Sequence, residues 1–218
     1  MKQKTVYLCS DCGYESPKWF GKCPSCGAWN TMSEYKVKPE SAARGTGEFA
    51  RGASRPTLLR DIELGDESRF HSGMGELDRV HGGGAVHGSF VLVGGEPGIG
   101  KSTLLLQMCQ EMCKAARVLY VSGEESLRQI KLRAARLQIS SPDLYILAET
   151  DMEQIISETE LLAPDILIVD SIQTVYKRDL TAAPGGATQI KECAMSLVQY
   201  GKNSNVTIFI VRHVNKGG

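Results

Sequence analysis

The sequence contains no hydrophobic run long enough to cross a membrane. None of its apolar segments approaches the roughly 18 residues that a membrane-spanning helix needs, and the N-terminal MKQKTVYLCSDC has no apolar secretory core. We therefore expect a cytoplasmic protein without a membrane partner. Aromatic residues are scarce at 6%, whereas 42% apolar and 23% charged residues are typical of a soluble globular protein.

The chain also lacks a net charge, with 25 Lys or Arg against 25 Asp or Glu among its 218 residues. It therefore has no overall basic signature of a nucleic-acid-binding protein. The charges are unevenly distributed, because residues 1–62 carry 10 Lys or Arg and 6 Asp or Glu. This basic N-terminal segment weakly favours a polyanionic partner, although a similar charge asymmetry is common in proteins with two domains.

Three segments differ in composition. Residues 1–30 hold four of the seven cysteines and both tryptophans, which indicates a small metal-binding finger. Residues 31–56 have few large apolar side chains, so we interpret them as a flexible linker. Residues 57–218 alternate apolar strand patterns with helical patterns, which predicts an α/β core with a mostly parallel sheet covered on both faces. Strands are expected at 90–93, 118–121, 144–147, 166–169 and 206–211, and helices at 102–114, 126–137, 152–162 and 189–202.

Four cysteines form two CxxC pairs separated by ten residues: Cys9, Cys12, Cys23 and Cys26. Two such pairs supply a tetrahedral set of four thiolates, which zinc prefers, and a site filled by four cysteines is structural rather than catalytic. Gly13 and Gly27 follow the pairs, where turns with positive φ are expected. Unliganded thiols and a redox-active CxxC are the alternatives, although a redox motif normally occurs singly beside a βαβ unit.

A glycine-rich segment matches the phosphate-binding pattern GxxxxGK[ST] at every fixed position: Gly95, Glu96, Pro97, Gly98, Ile99, Gly100, Lys101 and Ser102. It follows the apolar run FVLV and opens a predicted helix, which is the context that this motif requires. Backbone N–H groups and the helix N-terminus favour a bound phosphate. Lys101 is expected to reach the β- and γ-phosphates of ATP, Ser102 to ligate Mg²⁺, and Thr103 to contact the α-phosphate. The alternative is a glycine-rich turn that binds no ligand.

Acidic residues follow two other predicted strands. Asp170 ends the run ILIVD, where a P-loop protein carries its second magnesium ligand, whereas Asp165 lies at the start of the same strand. Glu124 and Glu125 follow the run VLYVSG. One of them is expected to orient the attacking water, with Glu124 preferred as the base. The alternative is that these acids belong to the first turn of the next helix, where negative charge is favoured.

These motifs together resemble the RadA (Sms) family of bacterial DNA repair proteins. The matching segments are YLCSDCGYESPKWFGKCPSCGAWNTM, GELDRVHGGGAVHGSFVLVGGEPGIGKSTLLLQ, LYVSGEES, DILIVDSIQTVY and APGGATQIKE. The cysteine segment is the most specific of them, because a phosphate-binding loop does not by itself require a cysteine finger. The resemblance implies a RecA-like ATPase core, zinc, ATP with Mg²⁺, homo-hexameric rings and binding of single-stranded or branched DNA. It also implies a role in recombinational repair alongside the RecA recombinase.

The resemblance further implies that the loop after the Asp170 strand faces DNA inside the ring. Lys177, Arg178 and the glycines near residue 185 are then candidates for strand contact, with a solvated surface loop as the alternative. It also places His213 where RecA-like ATPases carry a group that senses the γ-phosphate or DNA.

The family usually continues with a KNRFG segment and a domain similar to the Lon protease. We therefore expect this chain to be a truncated form that binds nucleotide and zinc but hydrolyses ATP slowly. A DNA-dependent ATPase is the main functional hypothesis. The alternative is a nucleotide-gated recruitment module with little turnover. A small-molecule kinase is disfavoured because a zinc finger has no role in its reaction.

Overall fold

The chain divides into two compact units, the first mainly within residues 1–67 and the second mainly within residues 68–218. A computed structural model describes residues 4–37, 58–61 and 68–214. Within these ranges, no helix combines the length and the apolar character that crossing a bilayer requires.

The first unit contains a three-stranded antiparallel sheet in the order β2-β1-β3. Its strands are β1 (Lys4–Cys9), β2 (Glu15–Ser16) and β3 (Met32–Val37). Strand β3 pairs with β1 along its whole length, from Cys9 opposite Met32 to Lys4 opposite Val37. The finger therefore continues past residue 30, where the sequence predicted the linker to begin, and residues 38–56 of that linker lie outside the described residues.

The second unit is built on a five-stranded sheet in which every neighbouring pair is parallel. A short antiparallel pair, β4 (Arg69–Phe70) and β5 (Ala85–Val86), precedes it. The sheet strands are β6 (Phe90–Gly95), β7 (Val118–Ser122), β8 (Leu144–Ala148), β9 (Ile166–Asp170) and β10 (Thr207–His213). Their order is β6-β10-β9-β7-β8. The central strands β7 and β9 are buried at every position, as continuous apolar runs predict for a covered parallel sheet.

Helices cover both faces of this sheet. They are α1 (Gly75–Val80), α2 (Lys101–Met112), α3 (Leu127–Arg136), α4 (Met152–Leu162) and α5 (Ala187–Ser204). On one face Leu105 of α2 and Ile130 of α3 pack into one apolar cluster, and on the other face Ile155 of α4 and Leu197 of α5 pack into a second. The predicted α/β fold with a mostly parallel, doubly covered sheet is confirmed.

The predicted elements of the second unit recur with small shifts at their ends. Helix α4 begins and ends where its pattern predicts, because Asp151 caps its N-terminus by accepting a hydrogen bond from the Glu153 N–H, and Ala163 leaves the helix with a positive φ. Helix α5 extends beyond the predicted 189–202 at both ends. The short elements β4, β5 and α1 were not predicted, since a two-residue strand or a helix of under two turns carries little periodic signal.

Candidate nucleotide and metal sites

The candidate nucleotide residues meet at one edge of the parallel sheet. The carboxyl ends of parallel strands lie together, and this is where open α/β sheets bind ligands. Strand β6 leads into the glycine-rich loop, and its Gly95 is the register partner of His213 at the end of β10. At the end of β9, Asp170 is the register partner of Ser122 on β7. The fold therefore brings four candidate segments, distant in sequence, to the same edge.

The glycine-rich loop has the backbone that a phosphate site requires. Gly98 and Gly100 have φ values of +78° and +101°, and a Cβ at either position would meet no heavy atom within 4 Å. These φ values lie where side-chain-bearing residues are strained. Helix α2 begins at Lys101, and Gly100 at its N-cap provides no side-chain acceptor, so backbone N–H groups of the first turn are available to an anion. The Lys101 Nζ donates to Gly95 O at 2.8 Å and to Glu96 O at 2.6 Å. These features fit a nucleotide phosphate.

The rest of the loop follows the same pattern. Glu96, Pro97 and Ile99 are exposed, with Ile99 70% exposed. Ser102 and Thr103 lie in the first turn of α2 and are partly buried. They directly follow Lys101, the first residue of this helix, as the sequence pattern predicts.

Asp170 is a buried carboxylate at this edge. It is 7% exposed, and its Oδ2 accepts a hydrogen bond of 2.5 Å from the hydroxyl of Tyr120 on β7. Burial and the neighbouring Asp170 charge raise the pKa of Tyr120 far above its usual range, so the hydroxyl remains a donor. Carboxylate and hydroxyl oxygens such as those of Asp170 and Ser102 are the ligands that Mg²⁺ prefers. Asp165 lies at the opposite end of β9, where it accepts from the Arg117 N–H at 2.8 Å.

The two glutamates after β7 have different surroundings. The Glu125 carboxylate forms a 2.5 Å ion pair with Arg133 of α3, in which both side chains are about three-quarters buried. Glu124 Oε1 instead accepts from Ser171 Oγ at 3.1 Å and lies 3.4 Å from His213 Nε2. Glu124 thus faces the segment that follows Asp170, whereas Glu125 is held against the next helix.

The structure excludes the alternative in which these acids belong to the first turn of α3. That helix is capped by Ser126, which accepts from the Gln129 N–H while the Gln129 side chain accepts from the Ser126 N–H. Glu124 and Glu125 precede the cap, and the first turn of α3 contains no acidic residue.

Two further residues at this edge were not identified from the sequence. One is Tyr120, and the other is Gln173, whose side-chain amide donates to His213 O at 2.8 Å and accepts from His213 N at 3.2 Å. His213 Nδ1 is buried and, among the described residues, has no hydrogen-bond partner. A tyrosine within the apolar run VLYV was the available signal for Tyr120, because a buried hydroxyl requires a partner. Gln173 gave no comparable signal.

The loop after β9 is held by contacts within the second unit. Lys177 Nζ donates to Ser196 Oγ at 3.2 Å, and the Arg178 guanidinium pairs with the buried Asp151 carboxylate. The Gln189 side chain binds the backbone of Lys177 through both its oxygen and its nitrogen. Arg178 remains 67% exposed in its side chain, and Gly185 has a φ of +79°. The two cations predicted to contact DNA therefore both have partners inside the chain.

The four N-terminal cysteines form one cluster. All four Sγ atoms lie within 4.8 Å of one another, and those of Cys9 and Cys26 are 3.7 Å apart. A tetrahedral S₄ site with Zn–S bonds of about 2.3 Å has S···S edges of about 3.8 Å. Gly13 and Gly27 have φ values of +73° and +75°, as expected for the turns that close such knuckles. The donor set and its spacing fit zinc.

Comparisons with known proteins match the two parts of the chain to different families. A family described as an AAA domain matches residues 68–218, and one described as a rubredoxin metal binding domain matches residues 7–34. The DNA repair protein RadA of Bacillus subtilis is 50% identical over 220 residues, which cover 100% of this chain and 48% of that protein. The RadA proteins of Halalkalibacterium halodurans and Listeria monocytogenes are 49% and 47% identical with the same coverage. The chain spans about half the length of these relatives, and the resemblance noted from its motifs is confirmed.

Proposed function

The chain belongs to the AAA domain family, and from this premise we propose that it is an ATP hydrolase of recombinational DNA repair that is stimulated by single-stranded DNA. The observation that carries the proposal is the convergence of Lys101, Asp170 and Glu124 on one sheet edge. It is supported by the similarity of the whole chain to RadA proteins, whose printed name describes DNA repair.

In this proposal the glycine-rich loop binds the nucleotide phosphates through its backbone N–H groups and the N-terminus of α2. Lys101 exchanges its contacts with Gly95 O and Glu96 O for the β- and γ-phosphates. Ser102 and Asp170 hold Mg²⁺, which when bound neutralises charge on the phosphate oxygens. Thr103 contacts the α-phosphate.

Glu124 orients the attacking water and accepts its proton at a carboxylate oxygen. Its Oε1 already accepts from Ser171 Oγ, so it has a hydrogen-bonding partner adjacent in sequence to the magnesium ligand Asp170. Glu125 serves this site indirectly, because its ion pair with Arg133 fixes the segment between β7 and α3.

The DNA partner is assigned by charge and position. Lys177, Arg178 and the backbone near Gly185 belong to the loop between β9 and α5, which starts at the sheet edge where Asp170 lies. Contact with a phosphate backbone would require the two cations to exchange partners, namely Ser196 and Asp151. The zinc finger is a structural element of the same protein. A homo-hexameric ring that acts on branched intermediates with the RecA recombinase completes the proposal.

The test is ATP hydrolysis by the full chain with and without single-stranded DNA, in parallel with binding of a fluorescent ATP analogue. Lys101→Ala is expected to lower hydrolysis by on the order of 100-fold, because it removes a cation that stabilises transferring phosphate charge. Lys114→Ala is the matched control, since the exposed Lys114 lies just beyond α2 and pairs with the partly buried Glu111.

Turnover that rises with DNA and disappears in Lys101→Ala alone would support the proposal. Equal hydrolysis by the unaltered chain and Lys101→Ala would contradict it. Nucleotide binding without turnover would instead favour a nucleotide-gated recruitment module.

A further inference from the structure

We propose that Tyr120 is a positioning residue for the metal ion of this nucleotide site, acting through its hydrogen bond to Asp170. The inference rests on the proposed nucleotide function and extends it to a residue on a different strand from every proposed ligand of the nucleotide or its metal ion.

Strand register explains why these two side chains meet. Strands β7 and β9 are parallel neighbours, with Ser122 opposite Asp170 and Tyr120 opposite Ile168. Register partners and residues two positions apart along a strand share one face of a sheet. Tyr120 and Asp170 therefore project from the same face, offset by two residues along the strand direction.

That face is the one covered by the phosphate-binding helix. Tyr120 and Ile168 pack in the same apolar cluster as Leu105 and Met108 of α2. Asp170 lies two residues after Ile168, so it belongs to the same face and is directed toward the side of the sheet that carries the glycine-rich loop. Tyr120 thus approaches Asp170 from within the core, whereas the loop lies at the sheet edge.

The chemistry of the pair suits a metal ligand better than a salt bridge would. The Tyr120 hydroxyl is fully buried and donates to one carboxylate oxygen, Oδ2, which restricts rotation of the acid. Because this donor is neutral, it leaves the negative charge that attracts a cation. A lysine or arginine in its place would cancel that charge. Hydrogen bonds to the residues that ligate a metal commonly set its affinity in this way.

A purely structural role makes a different prediction. If Tyr120 only fills the core and satisfies its own hydroxyl, removing that hydroxyl changes the stability of the chain but leaves its affinity for the metal unchanged. If Tyr120 positions Asp170, metal affinity falls while nucleotide binding without metal is retained. The two roles are therefore separated by measuring metal binding directly.

The experiment compares the full chain with Tyr120→Phe by electron paramagnetic resonance of Mn²⁺, titrated in the presence of a non-hydrolysable ATP analogue. Thermal unfolding and analogue binding in EDTA are measured on the same samples. We expect the Mn²⁺ dissociation constant to rise by about tenfold or more, with binding in EDTA unchanged. Tyr145→Phe on β8 is the matched control, because Tyr145 is 41% exposed.

Two additional variants complete the test. Tyr120→Leu also lacks the hydroxyl and replaces Tyr120→Phe if the latter does not fold. Asp170→Asn tests whether Tyr120 acts through Asp170. If it does, adding Tyr120→Phe to Asp170→Asn is expected to cause no further change in Mn²⁺ affinity. Equal Mn²⁺ affinity in the unaltered and Tyr120→Phe chains would overturn the inference alone. Absence of nucleotide-dependent Mn²⁺ binding in the unaltered chain would overturn the proposed function and the inference with it.

Discussion

The adjacent glutamates after β7 allow a sharp test of the proposed hydrolytic mechanism. Glu124 and Glu125 are chemically identical neighbours, but of the two only Glu124 contacts Ser171, the residue after Asp170. Replacing each in turn by glutamine removes one negative charge and preserves side-chain size. Each variant is therefore a control for the other.

The two variants are expected to change different properties: the hydrolysis rate in one and the stability in the other. A general base typically contributes about 10²–10⁴-fold to a rate, so Glu124→Gln should raise the activation barrier by about 3–5 kcal/mol. Its side chain is 52% exposed, and we expect little change in stability. Glu125→Gln breaks the partly buried ion pair with Arg133. This loss should lower the free energy of unfolding by about 1–2 kcal/mol and change hydrolysis only a few-fold.

The assay is steady-state ATP hydrolysis at saturating Mg²⁺ and nucleotide, with thermal unfolding of the same preparations. Binding of a fluorescent ATP analogue shows whether a loss of rate reflects a loss of affinity. Hydrolysis by Glu124→Gln within a few-fold of the unaltered chain would refute its assignment as the base. A large loss in Glu125→Gln, with stability unchanged, would transfer that role to Glu125.

Two further predictions concern the metal cluster and a local acid. Cys9→Ser should reduce zinc in the purified chain from about one equivalent to none and destabilise the first unit, as measured by metal analysis and thermal unfolding; equal zinc content would contradict the S₄ site. Burial alone would raise the pKa of Asp78, but hydrogen bonds from the Ser72 N–H and hydroxyl, together with nearby His71 and His81, hold it below its ordinary 3.8. A lowered pKa stabilises the fold above the unfolded-state pKa and loses this effect as the pH falls through the folded-state pKa. Asp78→Asn should therefore cost about 1 kcal/mol at pH 7 and progressively less below pH 4, as followed by urea unfolding; a cost independent of pH would refute this.

Much of the site could be predicted because its signals are local in sequence. The glycine-rich loop and the cysteine pairs each occupy a few consecutive positions, and an apolar run that ends in Asp170 marks a strand and its carboxyl end together. A parallel sheet then brings such ends to one edge without knowledge of the strand order. The candidate nucleotide residues follow from these rules alone.

The remaining features depend on pairings between distant segments. The Tyr120–Asp170 contact joins strands β7 and β9, and the Gln173–His213 contact joins the turn after β9 to β10. Both depend on the strand order β6-β10-β9-β7-β8. Strand periodicity does not encode that order. Strand β3 was not predicted for a related reason, since its pairing with β1 joins residues that lie 23 to 33 positions apart.

The backbone around Gly123 gives the proposed stimulation by DNA a physical route. A Cβ at Gly123 would lie 2.0 Å from Thr174 Oγ1, so only glycine allows the segment after β9 to pack against the residue that precedes Glu124. Thr174 Oγ1 in turn donates to Ser171 O at 2.7 Å, and the Ser171 hydroxyl donates to Glu124.

This segment continues within a few residues into the loop of Lys177 and Arg178. In the proposed function, a strand bound at that loop would act on Glu124 through Thr174 and Ser171. Coupling between two sites needs an element whose arrangement both sites influence. The packing of Gly123 against Thr174 and the hydrogen bonds of Thr174 and Ser171 make residues 171–174 a candidate for such an element between Glu124 and the loop.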